Sequence, residues 1–322
     1  MMNLSFSRLA AFSLAALLGS SALALTANDY LAYVIMVGAI FATLAVAFDV
    51  LLGYTGYLSL AHGALYGVGA YVCAILTARY DVGFWFALLA AAAASAAIGA
   101  LIAAVAFRTR GLYFAVLTLG LGLVGEQLFL VFDGVTGGIG GFAGIPGPVH
   151  PPWLTASTPV FYALLSLGLL FVTFLCANLF VRSRLGAECI AIREDLILAQ
   201  ALGIKVSAAR LAAFTFSAAF AGAAGALFAA TSSFVAPESF TVLGTGFLMV
   251  ALVVVGGMGT LWGPIIGAAL LTALPEVLRF ASTYSLLAYG ILLLTFIIFF
   301  PRGLADLLKR LTHKLKHHGE AR

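Results

Sequence analysis

The sequence predicts an all-α fold: a polytopic membrane protein of about ten transmembrane helices, some of them broken or re-entrant. Three observations carry that prediction. Mean hydropathy is +1.14, with 63% of the 322 residues hydrophobic and 9% charged, more apolar surface than a water-soluble core of this size can hide. Apolar runs of about 20 residues recur along the chain, the length an α-helix needs to cross a bilayer. The period-2 alternation of a membrane β-barrel is absent, so the backbone must satisfy itself within hydrocarbon as helix.

The apolar segments fall at 8–26, 30–52, 58–78, 84–107, 111–132, 159–181, 208–230, 241–256, 262–280 and 283–300. The segment at 241–256 is short, and those at 58–78 and 241–280 are interrupted by glycines. Three regions follow: an N-terminal helix or signal segment at 1–29, a membrane domain at 30–300 containing a polar loop at 182–207, and a basic tail at 301–322. The start, "SRLAAFSLAALLGSSALALTAND", has a basic residue, an apolar stretch and Ala-x-Ala at Ala22–Ala24, a pattern that also suits a cleaved signal peptide. Retention as a first helix is the expectation; cleavage leaves nine spans. The loop at 133–158 holds five glycines between Gly137 and Gly144, then prolines, and is expected not to sustain a helix.

Alternating spans place 14 of the 16 basic residues on the side of the C-terminal tail, and only Arg79 and Arg279 opposite. The positive-inside rule makes that side cytoplasmic, with both termini on it. A net charge of +4 is too small to point to nucleic acid. Cys73, Cys176 and Cys189 show no metal-like or paired spacing, and no acid/base pair, nucleophile elbow or metal cluster supports catalysis.

One stretch departs from this apolar background. Arg182 to Lys205, "RSRLGAECIAIREDLILAQALGIK", holds seven of the chain's 28 charged side chains. At 100° per residue Cys189, Ile192, Leu196 and Ala199 form one apolar strip and Ile190, Ile197 and Ala201 a second. Glu188, Arg193, Glu194 and Asp195 lie between them. Two strips separated by charge suit a helix over 186–203 held between a membrane domain and another protein, with Gly203 as its stop.

This stretch resembles the cytoplasmic coupling loop of ABC importer permeases. "LAQALGI" (Leu198 to Ile204) matches the family ending at Ala199, Leu202 and Gly203, while Ile197 stands where Glu is usual. Six stretches in order, one of them within this segment, resemble branched-chain amino acid permeases of the LivM type. They are "GYTGYLSLAHGALYGVGAY" from Gly53, "RTRGLYFAVLTLG" from Arg108, "TGGIGGFAGIP" from Thr136, "AIREDLILAQALGI" from Ala191, "AAFTFSAAFAGAAGALFA" from Ala212 and "VVVGGMGTLWGPIIGA" from Val253. Together they cover most of 45–275. Tyr57 stands where the family commonly has Gln, and Ala61 where it commonly has Gly. The resemblance implies one of two membrane subunits of an inner-membrane importer for hydrophobic amino acids. It implies a sister permease, a periplasmic binding protein and two cytoplasmic ATPases, with ATP and Mg2+ on those ATPases and no cofactor on this chain. It makes Glu188, Ile192, Arg193, Glu194, Asp195, Ala199, Leu202 and Gly203 the candidate ATPase-coupling residues. In agreement, the sequence contains no GxxxxGK[ST] phosphate loop.

Polar and glycine positions within the spans supply the candidate translocation pathway: Ser59, His62, Thr118, Glu126, Thr136, Gly137, Gly138, Gly256 and Gly257. His62 reads either as a pathway group or as a neutral histidine bonded to nearby backbone. Glu126 is expected to be the most deeply placed acid, Asp49 to reach water near the end of its span, and Glu276 to pair with Arg279. Gly63/Gly67, Gly259/Gly263 and Gly263/Gly267 have the spacing of close helix packing. A break at Gly256–Gly259 would expose backbone groups to a zwitterionic solute. Trp85, Trp153 and Trp262 fall near expected interfaces. The competing readings are a carrier or channel working without ATPases, a ribose-type sugar permease, and a relative carrying urea, amides or other amino acids.

Overall fold

Glycine, alanine and serine set how closely these helices approach, and the architecture follows from where they stand. The computed structural model describes residues 28–109, 111–150 and 157–278, with residues 290, 291, 294–296, 298, 299, 303 and 304 beyond them. The expected span at 8–26, much of that at 283–300, nearly all of the basic tail, and Arg110, Trp153 and Arg279 lie outside the described residues.

The chain is mostly helical: α1 (Asp29–Thr55), α2 (His62–Tyr80), α3 (Phe84–Ala106), α4 (Leu112–Val131), α5 (Thr158–Arg182), α6 (Arg184–Glu194), α7 (Leu196–Ala201), α8 (Val206–Ser232), α9 (Phe247–Gly256) and α10 (Gly263–Leu278). Among the described residues six segments are long and apolar enough to cross a membrane: α1, α3, α4, α5, α8 and Pro237–Gly256. The last is irregular at its start, with a 3-10 turn at Pro237–Phe240 and a π turn at Val242–Gly246 leading into α9. The segment expected at 58–78 becomes helical only at His62, leaving 56–61 as irregular chain that is largely buried.

α1 is the central post. Residues 42–55 are buried without exception, because α5, α8, α9 and α10 all pack against this helix. α8 packs against α2 and α3 as well. A Cβ on Gly69 would lie 2.1 Å from the Gly222 carbonyl oxygen, and one on Gly225 would lie 2.0 Å from that of Tyr66. α3 joins the same crossing: a Cβ on Gly222 would lie 2.3 Å from Ser95 Oγ, and that hydroxyl donates to the Leu65 carbonyl at 3.0 Å. Helices in lipid gain attraction by such backbone proximity, since lipid is as apolar as leucine. The α9–α10 hairpin closes in the same way. Cβ atoms on Gly256 and Gly267 would lie 2.0 Å from the carbonyl oxygens of Gly263 and Leu252.

The ends of the helices sort by charge. Arg108, Arg182, Arg184, Arg193, Lys205 and Arg210 lie toward one face, called the basic face below; Arg79 lies toward the other. On that opposite face the 133–158 loop sustains more order than expected: one helical turn at Asp133–Thr136 and a 3-10 turn at Gly138–Gly140. Strand β1 (Phe142–Ala143) then pairs antiparallel with β2 (Phe234–Val235). Positive φ at Gly137, Gly138, Gly141 and Gly144 ends each turn before it can propagate. Arg79 Nη2 donates to the Gly134 carbonyl at 3.0 Å, tying the loop to the end of α2.

Replacing Gly222 by Leu inserts a side chain where α3 already touches the backbone. Overpacking of this kind costs about 1–3 kcal/mol, so Gly222→Leu will lower the apparent Tm of the detergent-solubilised protein. Gly120→Leu, at a position with nothing within 4 Å, will not.

Candidate coupling and pathway sites

The polar segment between α5 and α8 is two helices rather than the single one expected over 186–203. Asp195 breaks it, with φ −151° and ψ 109°. Its Oδ1 accepts from the backbone N–H groups of Ile197 and Leu198 at 2.8 and 3.0 Å, capping α7 as Asp does at helix starts. At the other end Gly203 takes φ +80°. Its N–H donates to the Gln200 carbonyl at 3.0 Å and that of Ile204 to the Ala199 carbonyl at 3.1 Å. That bond pair is a Schellman closure, so Gly203 is the stop the sequence predicts.

The two expected apolar strips fare differently: of the second, Ile197 and Ala201 are exposed while Ile190 packs against the core. Cys189, Ile192 and Ala199 are buried, and α6 packs on α1, α5 and α8. Ile197, Leu198 and Leu202 are 78%, 56% and 72% exposed, a cluster on α7 and the residue after it that covers nothing in the described chain. Glu194 and Asp195 are exposed beside it. Glu188 pairs with Arg184 at 3.0 Å. Burial pushes the Cys189 thiol up to about 12, with the neighbouring Glu188 charge adding to it, so it is no nucleophile near neutral pH. Arg193 runs the other way, from the last turn of α6 to donate from Nη1 to the Gly53 carbonyl in α1.

The expected pathway residues divide into three places. Ser59, His62, Thr118 and Glu126 lie along the buried chain at 56–61 and the face of α4 that covers it. His62 Nδ1 is 3.0 Å from Ser59 Oγ, and its ring is enclosed between Phe48 and Phe214, with centroids 4.9 and 5.0 Å away. Its Nε2 has no hydrogen-bond partner among the described residues. Thr118 Oγ1 accepts from the Leu60 N–H at 3.2 Å, and Glu126 Oε2 from the Val242 N–H at 3.3 Å. Thr136, Gly137 and Gly138 lie beyond α4, where Thr136 Oγ1 donates to the carbonyls of Phe129 and Phe132. Gly256 and Gly257 lie apart from both, where α9 ends at the basic face, in the turn whose Gly259 meets Arg193.

Two expectations about acids are corrected. Asp49 does not reach water: it is fully buried, with Oδ1 accepting from the Gly259 N–H at 2.8 Å. Glu126 is only partly buried, so Asp49 is the deeper acid; α1 is covered on all sides near its end, whereas α4 is peripheral. Glu276 accepts from the Tyr30 hydroxyl, and its expected partner Arg279 lies outside the described residues. Two further positions carry polar contacts that spacing alone does not single out. Arg210 is buried with its guanidinium 4.1 Å from the Tyr57 ring centroid, and Gly53, four residues after Asp49, has the place a side chain would need filled by Asp49 Oδ1.

A polytopic helical bundle of long apolar helices, with exposed apolar residues on a short helix at its basic face, defines a multi-pass membrane protein. Comparison with known families narrows the class. The family described as "Branched-chain amino acid transport system / permease component" matches residues 30–300, and the chain belongs to it. The chain is 37% identical over 287 residues to the high-affinity branched-chain amino acid transport system permease protein LivM of Salmonella typhimurium, covering 82% of this chain and 67% of that protein. The Escherichia coli K12 LivM gives the same identity and coverage. The LivH permease of the same transport system in Salmonella typhimurium is 27% identical over 84% of this chain and 92% of its own length. No solved structure matches.

Asp195→Ala removes the α7 cap at a cost of about 1 kcal/mol. Hydrogen exchange at the Ile197 and Leu198 amides will then rise roughly fivefold, with exchange in α8 unchanged.

Proposed function

We propose that this chain is the membrane-spanning permease subunit of an ATP-binding cassette importer that moves branched-chain amino acids across the bacterial inner membrane. It works beside a second, homologous permease and receives its solute from a periplasmic binding protein. Two cytoplasmic ATPases hold ATP and Mg2+ and drive it; membrane lipid is its remaining contact. The basic face is cytoplasmic by the positive-inside rule, which puts both termini there. Ten spans result when α2, α10 and the sequence segments at 8–26 and 283–300 are added to the six described above, or nine if the first is cleaved.

The observation that carries this reading is the division of labour in α6 and α7. One strip is fixed against α1 and α8, while Ile197, Leu198 and Leu202 face outward with Glu194 and Asp195 beside them. Apolar anchors with a charged rim suit a protein partner, and rigid seating on α1 and α8 allows a push on α7 to reach the bundle. Alternating access follows: ATPase closure displaces the segment, and the spans reorient around a path shared with the sister permease. Solute selectivity rests on family membership and on the names of the LivM relatives.

Burying one Leu side chain is worth about 1.5–3 kcal/mol. Leu198→Asp and Leu202→Asp will therefore lower co-purification of the ATPases roughly tenfold or more and reduce leucine uptake in proteoliposomes to the same degree, with insertion of the chain unchanged. Undiminished ATPase capture by both variants, or uphill uptake by this chain without ATPases, overturns the reading.

A further inference from the structure

The basic-face end of α1 joins parts of the chain that are far apart in sequence. Asp49 reaches the Gly259 N–H only because residue 53, one turn further on, has no side chain. A Cβ there would stand 2.0 Å from Asp49 Oδ1 and 2.4 Å from Gly259 N. The Gly53 carbonyl is among the last four of α1, where partners within the helix run out, and Arg193 Nη1 donates to it. A cation suits that end of the helix dipole. A Cβ on Gly259 would lie 2.8 Å from the same Nη1, so the guanidinium touches the glycine turn as well as α1. Gly257 and Gly259 hold φ of +121° and +71°, and Gly303 closes the junction from behind, its Cβ position 2.3 Å from Gly257 Cα.

We propose that Arg193 and Asp49 are positioning residues of a latch: displacement of α6 is transmitted through Gly53 and Gly259 to the 256–262 turn, and so to the α9–α10 hairpin. This rests on the reading of the chain as an ATP-driven import subunit. Arg193 sits one residue before the end of α6 and two before the break at Asp195, where a push on α7 first arrives. On the receiving side α9 and α10 touch backbone to backbone at Gly256/Gly263 and Leu252/Gly267, so the hairpin moves as one body. Among the described residues an apolar groove of about 370 Å3, lined by Ala42, Phe174, Trp262 and Thr272 among others, opens between α1, α5 and α10 beside the packing of α10 on α1. It gives the hairpin room to shift.

The test uses the assembled transporter in proteoliposomes, carrying Asp49→Ala, Arg193→Gln or both. Alanine removes the acceptor for the Gly259 N–H without adding bulk beside Gly53, so Asp49→Ala decides the matter if Arg193→Gln fails to assemble. Two quantities are read: leucine uptake per ATP hydrolysed, and maleimide labelling of Met258→Cys, a partly exposed position in the turn, without nucleotide and after trapping with ATP and vanadate. We expect the labelling rate of the parent to change between the two states and each variant to abolish that change. Uptake per ATP will fall roughly tenfold, and the double variant will be no worse than the poorer single one, because both act through one junction. A labelling change that persists in the variants, or is absent in the parent, overturns the latch. So do losses of uptake and hydrolysis in strict proportion, and losses that multiply in the double variant. A parent complex that takes up no branched-chain amino acid overturns the functional reading instead, and the labelling still decides the latch.

Discussion

A backbone polar group inside hydrocarbon finds no water, so every interruption of a membrane helix must be satisfied by the protein itself. That constraint organises this chain. The chain leaves helical geometry in its interior at 56–61, at the start of Pro237–Gly256 and around Gly257–Trp262, and each place is met by a side chain from elsewhere. Thr118 accepts from Leu60, Glu126 from Val242 and Asp49 from Gly259, while Arg193 donates to Gly53. The polar residues that stand out in an apolar sequence are thus spent on backbone at helix breaks. A helix that ends inside a bundle leaves its bundle neighbours holding its last hydrogen bonds, and the neighbours are thereby tied to whatever moves it.

Small residues make the second half of the argument. With no hydrophobic drive between helices in lipid, close approach of backbones is the main source of attraction. The crossing of α2, α3 and α8 at Gly69, Ser95, Gly222 and Gly225 brings backbone atoms into contact. α1 is held by α5, α6, α8, α9 and α10, whereas α4 buries only Phe114, Ala115, Thr118, Gly122 and Phe129. The α9–α10 hairpin packs on α1 beside an apolar groove that α5 also lines.

The polar segment shows where reading a sequence as one periodic helix succeeds and where it misleads. The inner strip of Cys189, Ile192 and Ala199 is buried, and Gly203 closes the segment. The break at Asp195 was missed because the same residue type reads as part of a charged face or as a cap, and only its φ and ψ separate the two. The glycine pair at 263/267 marks a close helix pair, while Gly259 of the 259/263 pair stands in the turn against Arg193 and Gly53; Gly69, Gly222 and Gly225 bring other helices as close. Glu126 stands out in the sequence as an acid inside a span. Asp49, more fully buried, stands near a span end, and nearness to an end along the chain says nothing about what covers it.

By itself the sequence determined the class of the protein. Length and apolarity of the runs settle that helices cross a membrane, six motifs in order place the chain among permeases, and charge composition singles out the polar segment at 182–207, all of them properties of residues local in the chain. Only the tertiary structure decided which polar groups meet. Asp49 and Gly259 are 210 residues apart and Arg193 and Gly53 are 140 apart. Such contacts depend on how helices stack, on which glycines leave room and on which carbonyls a helix end leaves open. None of these is written in the local pattern of any one segment.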